Sequence, residues 1–291
     1  MVPSMADVAV VTDSTSYLPA DLVAALDVHV VSLYVSDAAG QRRESEIEDY
    51  GAFYDALRSA ATLPTTSQPS VGDFLAVYEP LAGAGRQIVS VHLSGAISGT
   101  VETARQAADE TVRSHPDGRI EVVDSTVGAG ALGLVALAAA GRARAGGHLA
   151  DVVAAANDAI AAMRFWFAVD TLEFLRRGGR IGAAQAWLGS ALRIKPILTL
   201  DGEITPIERV RTSRRAFERM VEFMRTREAD GADGWVVQHI QAADVAAQLV
   251  DRGRELFGCD PVFVSEVGPV IGAHVGPGLV GVGGVPRALL P

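Results

Sequence analysis

The segment Arg86–Val112 reads RQIVSVHLSGAISGTVETARQAADETV and holds one complete strand–turn–helix unit. Arg86–Val91 is a short apolar run typical of a buried strand, and Val101–Val112 is predicted to be helical. The turn between them is rich in glycine and hydroxyl residues. A strand that passes through a short turn into a helix is the repeating unit of a parallel sheet covered by helices.

The chain repeats this alternation on either side of that segment. Three more runs are typical of strands: Asp7–Thr12, His29–Val35 and Arg119–Asp124. Helices are predicted over Tyr50–Ala61, Val71–Leu81 and the Ala-rich stretch Gly128–Arg144. The first half is therefore predicted to be a three-layer αβα domain with a mainly parallel sheet.

The second half of the chain shows a different pattern. Ile194–Leu200 and Glu203–Val210 flank Asp201-Gly202, which is the strongest hairpin signal in the chain. The other predicted elements are strands over Phe165–Asp170, Trp235–Ile240 and Pro261–Val267 and helices over Arg214–Thr226 and Val245–Phe257. We therefore expect a two-domain α/β protein, with the three-layer domain over residues 1–160, a C-terminal α+β sheet domain over 161–291, and a ligand between or within the two.

The composition excludes several classes of function. The 291 residues include 49% hydrophobic and 21% charged residues, as in a soluble protein with a large core, and the net charge is −10. Such an acidic chain does not attract nucleic acid or an anionic membrane surface by bulk electrostatics. A single cysteine, Cys259, excludes an internal disulfide and a zinc site made of several cysteines. With no signal-peptide pattern and no apolar stretch long enough for a bilayer, we expect a cytoplasmic protein without stable membrane insertion.

Polar residues gather where the apolar segments end. The four runs concerned are Thr65–Pro69, His92–Thr100, Arg176–Arg180 and Gly272–Gly278. Glycine lets backbone N–H groups approach a ligand, and hydroxyl, imidazole and guanidinium groups add donors, so these runs suit a small oxyanion such as a carboxylate or phosphate. Each run also has a plainer interpretation, as a helix cap, a solvated turn or a structural histidine. The glycine-dense segment 272–284 is expected to be either flexible or moulded to a ligand.

Other chemistries find less support in the sequence. Gly128–Gly133 fits G-x-G-x-x-G, with Asp151 further along, but an Ala/Gly-rich packed helix explains it at least as well as a dinucleotide site. The chain has no G-x-S-x-G nucleophile elbow, H-E-x-x-H motif or P-loop. A hydrolase or acyltransferase that uses Ser94 and His274 as nucleophile and base remains an alternative.

An ordered set of motifs resembles the DegV family, whose members include the fatty-acid-binding subunits of bacterial fatty acid kinase. The matching segments are Thr12–Thr15, Thr66–Ser70, Leu93–Thr100, Val123–Ser125, Phe174–Ile181, Lys195–Leu198 with Asp201-Gly202, Arg209–Thr212 and Ile271–Gly278. Together they extend over nearly the whole chain. One such motif is weak, whereas the set in this order is specific.

The resemblance implies a two-domain protein that buries one long-chain fatty acid in an apolar tunnel. It implies a carrier that presents the carboxylate to an ATP-binding kinase subunit, which converts it into an acyl phosphate. No catalytic residue, metal or cofactor is expected in the chain itself.

The family's residues carry over to five ligand-binding and two partner-binding positions. The ligand-binding positions are Thr66, Ser94, Gly95, His274 and Arg180, and the partner-binding positions are Arg209 and Arg211. The family usually has a second serine where this chain has Gly95. An anion site here would therefore depend on Ser94, on the Gly95 amide, or on both.

Overall fold

The computed structural model describes residues 8–188 and 194–291. The strands are β1 Val8–Asp13, β2 Val28–Val31, β3 Tyr34–Asp37, β4 Gly40–Arg43, β5 Thr65–Ser67, β6 Gln87–His92, β7 Ile120–Asp124, β8 Arg164–Ala168, β9 Lys195–Asp201, β10 Glu203–Val210, β11 Gly234–His239, β12 Phe263–Glu266 and β13 Val280–Val285. The α-helices are α1 Ala20–Ala25, α2 Tyr50–Ser59, α3 Val71–Gly83, α4 Thr100–Ser114, α5 Ala129–Arg144, α6 Leu149–Ala162, α7 Glu173–Arg177, α8 Ser213–Ala229, α9 Ala243–Phe257 and α10 Pro269–Val275.

The first half is built on a parallel sheet with the order β2-β1-β6-β7. Successive side chains of a strand point to opposite faces, and β1 shows this directly. Val8 and Val10 belong to the core on the α5 side, whereas Ala9 and Val11 pack with residues of α3 and α4. Helices therefore cover both faces, which confirms the predicted three-layer class.

The second half is built on a mixed sheet with the order β10-β9-β8-β13-β11-β12. Its β11–β12 pair is parallel, and the other pairs are antiparallel. Trp166 and Ala168 of β8 pack with α8 and α9, whereas Phe165 and Phe167 join the core that contains α5. The predicted hairpin around Asp201-Gly202 is confirmed as β9–β10.

Helix α5 lies between the two sheets, and this position explains its glycines. It packs on β1 and β6 of the parallel sheet and on β11 and β13 of the mixed sheet. A Cβ atom at Gly133 would lie 2.9 Å from both the Phe263 ring and the Ser16 carbonyl oxygen. At Gly130 it would lie 2.8 Å from Cδ of Gln238. Close packing on two sides thus explains the second and third glycines of the G-x-G-x-x-G pattern.

The glycine-dense segment 272–284 differs from the expected loop. It contains the end of α10 and all of β13, a buried strand between β8 and β11 in the middle of the mixed sheet. Gly281 and Gly283 lie under the Phe165 ring, and a Cβ atom at Gly281 would be 2.7 Å from Cε1 of that ring. The expectation of a loop was wrong, because these glycines belong to a helix end and a strand, where they make room for an aromatic ring inside a sheet.

A small antiparallel sheet, β4-β3-β5, completes the first half. It divides the predicted strand His29–Val35 into β2, in the parallel sheet, and β3, in the small one. Part of the run Thr65–Pro69 becomes β5, while Ser70 caps α3 by accepting a hydrogen bond from the Asp73 amide at 3.1 Å.

The order of the strands along the chain bears on the domain division. Every strand of the parallel sheet precedes residue 125, and every strand of the mixed sheet follows residue 163. The division into residues 1–160 and 161–291 itself stays a prediction.

Candidate functional site

A cavity lies between the mixed sheet, α10 and the beginning of α5. Its walls are formed by Leu33, Thr66, Ser67, Gln68, Leu93, Ile97, Ser98, Gly128, Ala129, Phe165, Phe167, Leu175, Arg180, Leu200, Ile204, Gln238, Val267, Val270, Ile271, His274, Val275 and Leu279. It encloses about 900 Å³ that no protein atom occupies, part of it open to solvent. That size is within the range of small-molecule sites, roughly 300–1,000 Å³.

The long axis of the cavity runs across the strands of the mixed sheet. Ile204 of β10 and Leu200 of β9 lie at one side, Phe165 and Phe167 of β8 follow, and Gln238 of β11 lies at the other side. Between β8 and β11, the facing residues of β13 are glycines, so this strand leaves space instead of adding side chains. Four strand spacings separate β10 from β11, which makes the cavity roughly 19 Å long.

Polar groups concentrate at one part of the cavity wall. They are Thr66, Ser67, Gln68, Ser98, Arg180 and His274, and all of them are exposed or half-buried. By contrast, Phe165, Phe167, Val267, Val270 and Leu279 are buried. The cavity therefore has a polar, open end and an apolar interior.

Thr66 and His274 form the centre of the polar end. Oγ1 of Thr66 lies 2.7 Å from Nε2 of His274, although 208 residues separate them in sequence. Burial, together with the charge of Arg180, lowers the pKa of His274 to about 4. The imidazole is therefore neutral at pH 7, with one nitrogen as donor and the other as acceptor.

The two glycines that follow Arg177 each have a structural reason. A Cβ atom at Gly178 would overlap Nδ1 of His274, so only glycine lets this turn approach the imidazole. Gly179 has a φ of +70°, which other residues rarely adopt. The two glycines bring Arg180 to the open end, where its Nη1 donates to the Gly178 carbonyl at 2.9 Å and its Nε to the Ile97 carbonyl at 3.3 Å.

Ser94 and Gly95 have other partners. Ser94 is buried and donates from Oγ to the Gly202 carbonyl at 2.5 Å, which ties the β9–β10 hairpin to the end of β6. The Gly95 amide donates to the two carboxylate oxygens of Asp124 at 3.1 and 3.2 Å. Neither residue is among those that line the cavity. The structure thus brings Thr66, Arg180 and His274 together and leaves Ser94 and Gly95 beside them, and their roles stay predictions.

The alternative of a Ser94–His274 nucleophile and base gains no support from these contacts. Among the described residues, Nε2 of His274 is paired with Thr66, and the Ser94 hydroxyl is directed to a backbone carbonyl. A nucleophile needs its base within hydrogen-bond reach.

His92, at the start of the second polar run, points into the core instead. Its Nδ1 lies 3.0 Å from Oδ2 of Asp13 and its Nε2 lies 2.7 Å from Oγ of Ser90, which also accepts from the Tyr78 hydroxyl at 2.7 Å. All four side chains are fully buried. This network links β1, β6 and α3 and does not reach the cavity.

Arg209 and Arg211 lie at the edge of the mixed sheet. Both are exposed; Arg209 belongs to the outermost strand β10, and Arg211 directly follows its last residue. The guanidinium carbon of Arg209 lies 5.3 Å from the centre of the Trp187 ring, within the range of a cation–π contact. These positions are accessible to a partner, and the partner role stays a prediction.

Gln238 is the residue of the cavity wall that sequence reasoning missed. It is fully buried in β11. The signal was present, because a glutamine that directly follows the apolar run Trp235–Val237 of a predicted strand is an unusual residue at a buried position.

These features define a class of protein: a two-sheet α/β chain in which the mixed sheet, α10 and the beginning of α5 enclose an elongated apolar cavity with a polar, open end. The family model described as "Uncharacterised protein, DegV family" matches residues 7–287. The chain therefore belongs to the DegV family.

Named relatives agree with this assignment. A DegV domain-containing protein of Streptomyces coelicolor is 44% identical over 94% of this chain and 97% of its own length. Protein DegV of Bacillus subtilis is 34% identical over 95% of this chain and 98% of its own length.

Two solved structures have the same fold. A DegV family protein from Thermus thermophilus, described by its fatty acid binding, gives a TM-score of 0.86 with 36% identity, over 96% of this chain and 99% of that one. DegV from Bacillus subtilis, described as a fatty acid binding protein, gives 0.85 with 32% identity, over 96% and 99%.

Residues 8–188 and 194–291 contain no group of three or more His, Cys, Asp or Glu side chains arranged to hold a metal ion. In the same two ranges, no helix has the length and apolar character needed to cross a bilayer.

Proposed function

We propose that this protein binds one long-chain fatty acid, with the carboxylate at the polar end of the cavity and the acyl chain across the mixed sheet. The observation that carries the proposal is the polarity of the wall, where Thr66, Arg180 and His274 meet at the open end of a buried apolar channel. The fatty acid binding described for the related structures supports it.

The two ends of the cavity match the two parts of such a ligand. A partly buried carboxylate needs hydrogen bonds or a cation, and Thr66 and Arg180 supply them. If neutral His274 donates from Nε2 to Oγ1 of Thr66, the Thr66 hydroxyl hydrogen remains for the carboxylate. Burial of the acyl chain contributes about 0.8 kcal/mol per methylene, so the apolar part supplies most of the affinity.

The proposal extends to a kinase partner. A separate ATP-binding subunit would transfer the γ-phosphoryl group of ATP to the carboxylate oxygen, with ADP as leaving group and an acyl phosphate as product. The chain would act as a carrier, since its Ser94 and His274 are not paired for catalysis. Arg209 and Arg211, which are exposed, would contact the kinase subunit.

The fatty acid site is tested by titration of stearic acid into two variants of strand β5. Thr66 lines the cavity, whereas its neighbour Thr65 is exposed, so Thr65→Val is a matched control. Thr66→Val removes a hydrogen bond to a charged group, and we expect the Kd to rise about tenfold or more. Thr65→Val should leave the Kd within about threefold of the wild-type value. Equal affinities of the two variants would contradict the head-group site, and a wild-type chain that binds no fatty acid would contradict the function.

The partner surface needs a different measurement. With the kinase subunit and ATP, Arg209→Ala combined with Arg211→Ala should slow acyl phosphate formation and leave the Kd for stearic acid unchanged. Arg225, which is exposed on α8, provides the control arginine. A double variant that turns over like Arg225→Ala would contradict the assigned surface.

A further inference from the structure

Gln238 interrupts the apolar interior of the cavity. The other polar residues of the wall are exposed or half-buried and belong to the open end, whereas Gln238 is fully buried. It lies on β11, with the glycine strand β13 between it and Phe167 of β8. A polar group at this place is costly unless it has hydrogen-bond partners.

Part of the hydrogen-bonding capacity of Gln238 is used by the protein. The Gly130 amide donates to Oε1, and Nε2 donates to Oγ of Ser265 at 3.0 Å. These two bonds fix which end of the carboxamide is oxygen and which is nitrogen. A carboxamide has two N–H donors and can accept two hydrogen bonds. Among the described residues, therefore, one N–H and one acceptor position of Gln238 have no protein partner.

The hydrogen bond from the Gly130 amide also gives Gln238 a structural role. Gly128, the N-cap residue of α5, has no side chain to cap the helix, and Gln238 satisfies the Gly130 amide in its place. A helix cap alone accounts for one acceptor position. It does not account for a carboxamide in the wall of the ligand cavity, because an unsubstituted acyl chain beside it would leave the remaining N–H without a partner.

On the basis of the proposed function, we propose that Gln238 is a polar subsite that recognises an oxygen substituent in the distal half of the acyl chain. The ligand class is a long-chain fatty acid with a hydroxyl or oxo group. The turn that follows Arg180 packs against β10, because a Cβ atom at Gly182 would overlap the Ile204 carbonyl oxygen. The order of the strands places Gln238 three spacings from β9 and four from β10, roughly 14–19 Å from that side of the cavity. The carboxamide would then donate to the substituent oxygen, and a hydroxyl would also donate to Oε1.

The test compares positional isomers of hydroxystearic acid with one another. All isomers lose the same hydration when they bind, so differences between them report only where the hydroxyl meets a partner. In the wild-type chain, the Kd should pass through a minimum at one distal position, about tenfold below that of the poorest isomer. Gln238→Met should remove this minimum, so that the Kd values of the distal isomers converge. Gln68→Met, at the exposed end, should keep the minimum.

The outcomes separate the two proposals. If stearic acid binds and the wild-type Kd does not depend on the position of the hydroxyl group, the subsite proposal is wrong and the proposed fatty acid binding stands. A minimum that persists in Gln238→Met also overturns the subsite. If neither stearic acid nor any isomer binds, both proposals fail. If Gln238→Met does not fold, the dependence of the wild-type Kd on the position of the hydroxyl group still tests the subsite.

Discussion

Gly281 supports the Phe165 ring in the cavity wall, and its substitution should have two measurable effects. A Cβ atom at residue 281 would lie 2.7 and 2.8 Å from two ring atoms of Phe165, well below the 3.4 Å at which ordinary contact begins. The backbone cannot yield, because β13 is paired on both sides, with Gln238 and with Phe167. The ring must therefore move into the cavity, and overpacking of this kind costs about 1–3 kcal/mol.

Gly281→Ala should accordingly lower the free energy of unfolding by about 1–3 kcal/mol and weaken the binding of stearic acid. Urea unfolding measures the first effect and titration of the fatty acid the second. Phe165→Leu removes the ring atoms that the new methyl group would meet, so the double variant should be more stable than the sum of the two single changes predicts. The two substitutions should couple by at least about 0.5 kcal/mol. Strictly additive effects would refute the contact between Gly281 and Phe165.

Two further predictions concern a buried acid and the second-serine position. Burial raises the pKa of Glu44, which accepts from Ser14, Tyr17 and the Val270 amide, to about 7, so the folded state favours the protonated acid. The free energy of unfolding of the wild type, relative to that of Glu44→Gln, should therefore be highest below about pH 4.5 and fall by about 3 kcal/mol as the pH rises through 7. Denaturant unfolding of the two proteins that shows no such pH dependence would contradict this. Gly95→Ser should change the Kd for stearic acid by less than about threefold, because residue 95 faces the Asp124 carboxylate and not the cavity; a tenfold tighter complex would contradict this placement.

The sequence predicted the elements that local patterns specify. The alternation of apolar runs and helices located the parallel sheet, and Asp201-Gly202 located the β9–β10 hairpin. The strand β13 was missed because VGVGGV has the composition of a loop. Its role depends on Phe165, which is more than a hundred residues away in the chain and lies against it only in the folded sheet. Tertiary packing of this kind leaves no local signal.

The candidate site was predictable to a similar extent. The hydroxyl, histidine and arginine runs indicated Thr66, His274 and Arg180, and the fold brings these three to one end of the cavity. The reason for Gly178, which is the close approach of the imidazole, requires the structure. Ser94 and Thr66 are both hydroxyl residues in similar runs, so the sequence does not distinguish them. Only the structure shows that Ser94 is directed to the β9–β10 hairpin and that Thr66 lines the cavity.

The central claim is that the cavity between the mixed sheet and α10 holds one long-chain fatty acid, and mass spectrometry of the purified protein tests it most directly. The native mass should exceed that of the chain by one fatty acid, and this excess should disappear on denaturation and be recovered in the organic extract. A protein that has the mass of the bare chain, and that takes up no stearic acid on incubation, would contradict the account.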